Sequence, residues 1–216
     1  MKALHEALRL VVVTDRKRVR GSLLEVVRAA LRGGATCVQL REKDLGARDL
    51  LALARPIREA TEAASALFVI NDRVDVALAA GADGVQLGWR SLSVAEARRI
   101  VGPAHRIGAS THEASEIVTL QGAGADFVTF GPVYDTPSKR GLVTPRGVRG
   151  LRSAVLAAGG LPVVALGGIR EGRVAELRLA GACGIAVLSR VMASQDPEGA
   201  VRRLLEEWSA ASAELA

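Results

Sequence analysis

Short runs of β-branched and aliphatic residues alternate along this chain with longer segments where leucine, alanine and valine recur at helical spacing between arginines and glutamates. The first kind predicts strands over 8–14, 36–41, 67–71, 84–87, 106–110, 127–130, 162–166 and 184–188. The second predicts helices over 22–32, 47–64, 73–80, 94–100, 113–122, 148–158, 171–180 and 197–213. Most strand runs are apolar at successive positions, as a strand covered on both faces requires. Gly-Ala pairs stand just before strands at Gly34-Ala35, Gly81-Ala82, Gly124-Ala125 and Gly181-Ala182. Each suits a helix that ends on a left-handed glycine before the chain turns into the sheet. Eight βα units of about 27 residues predict an α/β protein, a single-domain (β/α)8 TIM barrel over 1–216. The runner-up, a doubly wound open sheet, needs a G-x-G-x-x-G fingerprint after its first strand, and the chain has none there.

In such a barrel, function sits at the C-terminal ends of the strands. Those positions are sharply polar. The second strand runs into Gln39-Leu40-Arg41-Glu42-Lys43, the third into Asn71-Asp72, and the fifth into Ser110-Thr111-His112. The sixth opens into Tyr134-Asp135-Thr136-Pro137-Ser138-Lys139, the seventh into Gly167-Gly168 and the eighth into Leu188-Ser189. Six strands thus send polar groups or glycines to one mouth.

Charge narrows the classes. With 29 basic against 23 acidic residues the chain carries +6, which invites a nucleic-acid reading. The arginines, however, are scattered along helices beside acids, and aromatics make up only 3%, too few for stacking platforms. Small molecules, not nucleic acid or membrane, are the expected partners. No apolar run approaches the roughly 18 residues of a membrane span. Glu6 stands where the apolar part of a signal peptide would begin. Cys37 and Cys183 read as free buried thiols, and the expected location is the cytoplasm.

Two anion sites emerge. Gly168 and Ser189, with Leu188, occupy the place where barrels of this kind hold a phosphate, since glycine lets backbone N–H groups approach an anion. The alternative for Gly167-Gly168 is plain packing of strand against helix. Thr136, Ser138 and Lys139 add two hydroxyl donors and a cation suited to an anionic ligand. Gln39, Arg41, Lys43 and Lys139 form a second cluster with three fixed charges, more than one phosphate needs. With Asn71 and the carboxylate of Asp72, it suits a diphosphate and Mg²⁺. Asp72 reads equally as a helix N-cap, and Trp89, beside the site, as a residue packed on a ligand or, more simply, over the barrel rim.

The motifs VQLREKD, VINDRVDVALAAGADGVQLG, GASTH, FGPVYDTPSK, VVALGGI and GIAVLS, in this order, resemble the thiamine phosphate synthase family and its close relative, the thiazole tautomerase branch. The resemblance runs from about residue 10 to residue 192 and lies closer to the synthases. It implies a barrel that couples hydroxymethylpyrimidine diphosphate to thiazole phosphate and releases pyrophosphate, in thiamine biosynthesis. It further implies that Gln39, Arg41 and Lys43 hold the pyrimidine diphosphate, helped by Asn71, Ser110 and Lys139. Thr136, Ser138, Gly168, Leu188 and Ser189 would face the thiazole phosphate, and Asp72 would bind Mg²⁺. Lys139, Arg41 and Ser110 are the implied catalytic set, with Lys139 foremost in stabilising the leaving group. One departure stands out. Where the synthase pattern reads G-Q-E-D, this chain has Gly88-Trp89-Arg90-Ser91, a neutral hydroxyl in place of a second Mg²⁺ carboxylate. Mg²⁺ then binds weakly through Asp72 alone, or Arg90 supplies charge to the diphosphate, or the reaction differs. The tautomerase alternative needs a base, for which His112 is the candidate, and no metal; its rival role is to cap the following helix. A non-catalytic thiazole phosphate-binding accessory protein is the third reading.

Overall fold

A computed structural model describes residues 3–136 and 143–213. Eight parallel strands close into a barrel in sequence order: β1 Leu10–Val13, β2 Cys37–Leu40, β3 Leu67–Asn71, β4 Gly84–Leu87, β5 Arg106–Thr111, β6 Phe127–Phe130, β7 Val163–Leu166 and β8 Gly184–Val187. β1 pairs with both β2 and β8, in register Leu10↔Ile185 to Val12↔Val187, so the ring has no open edge. The open-sheet alternative is excluded. All eight predicted strands are present.

Around the ring lie α1 Leu4–Ala7, α2 Leu23–Arg32, α3 Ala47–Ala63, α4 Val74–Ala79, α5 Val94–Val101, α6 Ser115–Gly122, α7 Gly147–Ala158, α8 Val174–Leu179, α9 Ser189–Met192 and α10 Pro197–Ala213, with a 3-10 turn over Arg16–Arg18. The sequence pattern does not reveal α1, α9 or the 3-10 turn, since one helical turn has no measurable period. α8 begins later than the expected 171, because Gly172 adopts φ 79° and interrupts the helical path. The main core lies between strands and helices, with Phe68, Ile70, Ile107, Phe130 and Ile185 fully enclosed.

The Gly-Ala pairs behave as expected. Gly34, Gly81, Gly124 and Gly181 have φ between 60° and 102°. In each, the glycine N–H and the following alanine N–H bond back to the helix's last carbonyls, as in Gly34→Leu31 at 3.0 Å and Ala35→Ala30 at 3.1 Å. This pair of hydrogen bonds satisfies orphan carbonyls and turns the chain inward. α3 ends the same way on an exposed serine, Ser65, at φ 50°. An L-residue bears a steric cost there that glycine escapes. Ser65→Gly is therefore expected to raise stability by up to ~1 kcal/mol in urea unfolding, and a loss would overturn this account.

Candidate active site

Inward-facing positions alternate along each strand. Deep in the barrel they are apolar: Leu8, Val11, Cys37, Val69, Phe127 and Val164 pack as one cluster. Nearer the C-terminal mouth, polar side chains from β2 to β6 replace them. Gln39 Nε2 donates to Asn71 Oδ1 at 3.2 Å. Gln86 Nε2 donates to Ser110 Oγ and Thr129 Oγ1, both at 3.0 Å, and Thr129 Oγ1 donates to Ser110 Oγ at 3.2 Å. Gln39, Gln86 and Thr129 are buried, so these bonds meet the requirement that enclosed polar groups be paired. The barrel thus carries a polar arc over β2–β6 facing the apolar ends of β7 and β8.

Arg41 emerges from β2 at the edge of this arc, half-buried. Burial lowers its pKa, while Asp15 and Glu42 raise it by charge. Its guanidinium makes no hydrogen bond or ion pair among the described residues; only its backbone N–H is engaged, to Thr14 Oγ1 at 2.9 Å. A cation partly stripped of water and not otherwise bonded is a site for an anion. Lys43, two residues on, is exposed at the same mouth.

After β3, Asp72 adopts φ 68°, its N–H bonded to the Gln86 carbonyl at 2.9 Å. Aspartate is among the few L-residues that accept this geometry. It is not the N-cap of α4, as the sequence suggested: Arg73 holds that position, without a side-chain cap. The Asp72 carboxylate is exposed and has no hydrogen bond or ion pair among the described residues. Ser91 does not supply a second acid and is itself engaged, its Oγ accepting from Gly88 N–H at 2.8 Å. No group of three or more potential metal-ligating side chains occurs among the described residues. One carboxylate fits Mg²⁺ in the mode that takes most ligands from substrate oxygens and water, and no other. Trp89 does not pack over the rim: it is 77% exposed, with the Arg90 guanidinium stacked 4.4 Å from its ring centroid.

On the opposite side, β7 and β8 deliver Gly168, Leu188 and Ser189 to the mouth. Gly167 and Gly168, at φ 104° and 64°, also pack tightly against the loop after β6. A Cβ on Gly168 would stand 2.6 Å from the Asp135 carbonyl oxygen and 2.8 Å from Tyr134 Cβ. The packing is loop on loop rather than strand on helix. The N-terminus of α8 is already occupied by an internal anion: Glu207 of α10 accepts from Gly172, Val174 and Ala175 N–H at 2.8, 2.8 and 3.1 Å. Glu207 makes no such bond to Gly168 or to the start of α9. Arg190 steadies α9 through a forked contact to Glu171, and holds that carboxyl down to about 2.

His112 does not cap α6, whose N-cap is Ala114. Its Nδ1 meets the Gly131 carbonyl, so Nδ1 carries the proton and Nε2 is the acceptor of the neutral ring. Thr136 lies at the end of the described part of the β6 loop; Ser138 and Lys139 lie outside the described residues. Gln39, Arg41, Lys43, Asn71, Asp72, Ser110, Gly168, Leu188 and Ser189 all stand at strand ends on the one mouth of the closed ring. Gln86 and Thr129 were missed. Their signal was the repeated Val-Gln-Leu of 38–40 and 85–87, and the lone threonine in Phe127-Val128-Thr129-Phe130, a polar residue at an inward position.

Comparison with known proteins agrees with the closed barrel. The family model described as thiamine monophosphate synthase matches residues 10–191. A thiamine-phosphate synthase of Methanoculleus marisnigri is 47% identical over 206 residues, 95% of this chain and 97% of the relative. One from Moorella thermoacetica is 43% identical, covering 91% and 93%. The solved structure of thiamine phosphate pyrophosphorylase from Pyrococcus furiosus superposes with a TM-score of 0.89 at 37% identity, over 97% of this chain and 99% of that one.

Proposed function

This chain belongs to the thiamine monophosphate synthase family, transferases of thiamine biosynthesis, and on that premise we propose that it couples hydroxymethylpyrimidine diphosphate to thiazole phosphate. The carrying observation is Arg41, a half-buried guanidinium unbonded among the described residues, at the edge of a polar arc that includes Asn71 and Ser110. In the reaction the bond from the pyrimidine methylene carbon to the diphosphate oxygen breaks, and its electron pair leaves with pyrophosphate. The thiazole nitrogen then donates its lone pair to the methylene carbon. Neither step needs a protein base. The barrier lies in separating charge, which fixed cations offset, and in alignment, which the barrel provides.

Arg41, Lys43 and Lys139 neutralise the leaving group, with Gln39, Asn71 and Ser110 orienting it. Gly168, Leu188, Ser189, Thr136 and Ser138 receive the thiazole phosphate. Asp72 would hold Mg²⁺, which adds charge neutralisation at the diphosphate when bound. Two free thiols, Cys183 pushed up to about 12 by burial, support a reducing compartment, the cytoplasm. Among the described residues no helix is long and apolar enough to cross a membrane.

The test is a paired assay: coupling of the two substrates with Mg²⁺, and tautomerisation of the thiazole carboxylate phosphate. Thiamine phosphate and pyrophosphate are the expected products. Tautomerisation without coupling would instead assign His112 Nε2 as a base. Absence of both would favour a binding protein. Lys139→Ala is expected to depress coupling more than thiazole phosphate binding, and equal losses would remove its assigned role.

A further inference from the structure

Glu42 lies between two of the cations that receive the diphosphate, and by charge alone it opposes them. It is also buried, at 6% exposure the only charged side chain so enclosed among the described residues. A buried carboxylate persists only when paired and hydrogen-bonded. Glu42 is both. Its Oε1 accepts from Thr14 Oγ1 at 2.7 Å, both oxygens accept from Arg16 N–H at 3.1 Å, and Oε2 meets the Arg16 guanidinium at 3.2 Å. Arg16 in turn forks onto Asp44 at 2.6 and 2.9 Å, and Lys17 Nζ reaches Asp44 at 2.8 Å. Glu42, Asp44, Arg16 and Lys17 sum to zero charge, so the Glu42 carboxylate is compensated within its own network.

The bonds also reach the backbone of the anion site. Thr14 donates its N–H to the Gln39 carbonyl at 3.0 Å, and its Oγ1 accepts the Arg41 N–H at 2.9 Å while donating to Glu42. Arg41 is therefore tied to Glu42 through one hydroxyl. Lys43 is flanked in sequence by two acids that the same Arg16 guanidinium holds. Preorganised donors act without reorganisation when the ligand's charge arrives, which is where such rigidity matters.

We infer that Glu42, acting through Thr14 and Arg16, is a positioning residue that sets Arg41 and Lys43 for the diphosphate half of the site. This rests on the synthase reading. The hydrogen bonds of this network reach none of Gly168, Leu188 or Ser189, so an effect confined to the diphosphate half separates positioning from a merely structural ion pair.

The experiment measures wild type, Glu42→Gln, Thr14→Val and Thr14→Ser, each checked for a cooperative thermal melt. Its readouts are KM for each substrate and calorimetric binding of inorganic pyrophosphate with Mg²⁺. Glu42→Gln and Thr14→Val should each raise the diphosphate-substrate KM and the pyrophosphate Kd about tenfold, the weight of one charge-assisted hydrogen bond, with the thiazole phosphate KM moving less than about twofold. Thr14→Ser, which keeps the hydroxyl, should restore most of that loss. Equal shifts in both KM values, unchanged pyrophosphate affinity, or Val and Ser behaving alike would overturn the inference. If Glu42→Gln fails to fold, the two Thr14 variants decide it. A wild type that binds pyrophosphate but does not couple refutes the synthase reading, and the pyrophosphate affinities still judge Glu42.

Discussion

Arg41→Ala is expected to lower kcat/KM for coupling by about a hundred- to a thousandfold, the loss that follows when one side of a desolvated charge pair is removed. Arg41 already bears the cost of partial burial in the ligand-free protein, its pKa lowered by desolvation. That cost is offset only when an anion arrives, so the guanidinium stabilises a departing diphosphate more than solvent would. Arg41→Lys should recover only part of the activity, because an ammonium lacks the planar fork that grips two oxygens together. Steady-state kinetics with the diphosphate substrate varied would show this. A fall of less than about threefold for Arg41→Ala would mean the anion sits elsewhere, since even one neutral hydrogen bond is worth about that much.

The largest expected effect on stability belongs to Gly184→Ala. A Cβ at this position would lie 1.9 Å from the Leu8 carbonyl oxygen, 2.7 Å from its carbon and 2.9 Å from Arg9 Cα. These are backbone atoms of the segment entering β1. Next to them Ile185 N–H bonds to the Arg9 carbonyl at 3.0 Å, one of the links that close the ring. A methyl group cannot enter without prising β1 from β8. We expect a loss of at least ~3 kcal/mol, or about 10 °C in Tm for a chain of this size. Gly122→Ala is the control: nothing lies within 4 Å of its Cβ, and it sits in the last turn of α6. That change should be neutral or stabilising by a few tenths of a kcal/mol. Similar melting temperatures for Gly184→Ala and wild type would refute the closure geometry.

How far the sequence carries depends on the range of the signal. The strands were legible because each is a local run, and the Gly-Ala pairs because a left-handed turn has few suitable residues. The site was legible as a set of strand ends: Gln39, Asn71, Ser110 and Gly168 follow from counting strands and asking where each stops. What the pattern hid was pairing across the chain. Asp72 looked like a cap because Asn-Asp before a helix usually is one, and only the bond to the Gln86 carbonyl shows its backbone answering to a neighbouring strand. Glu42 stands in sequence between the cations Arg41 and Lys43, while its partners Thr14 and Arg16 lie more than twenty residues away. Trp89 looked like a packing residue because large aromatics usually are, and its exposure depends on a loop path that period alone does not encode.

The pairing of β1 with β8 has a consequence for synthesis on the ribosome. The first strand made finds its second neighbour only when the last one emerges, 175 residues later by the register Leu10↔Ile185. Until then the nascent chain presents two raw β-edges, the kind that recruit chaperones or other unfinished copies. Premature termination anywhere ahead of Gly184 would leave them permanently uncovered, so nonsense fragments of this enzyme should aggregate rather than persist as partial barrels.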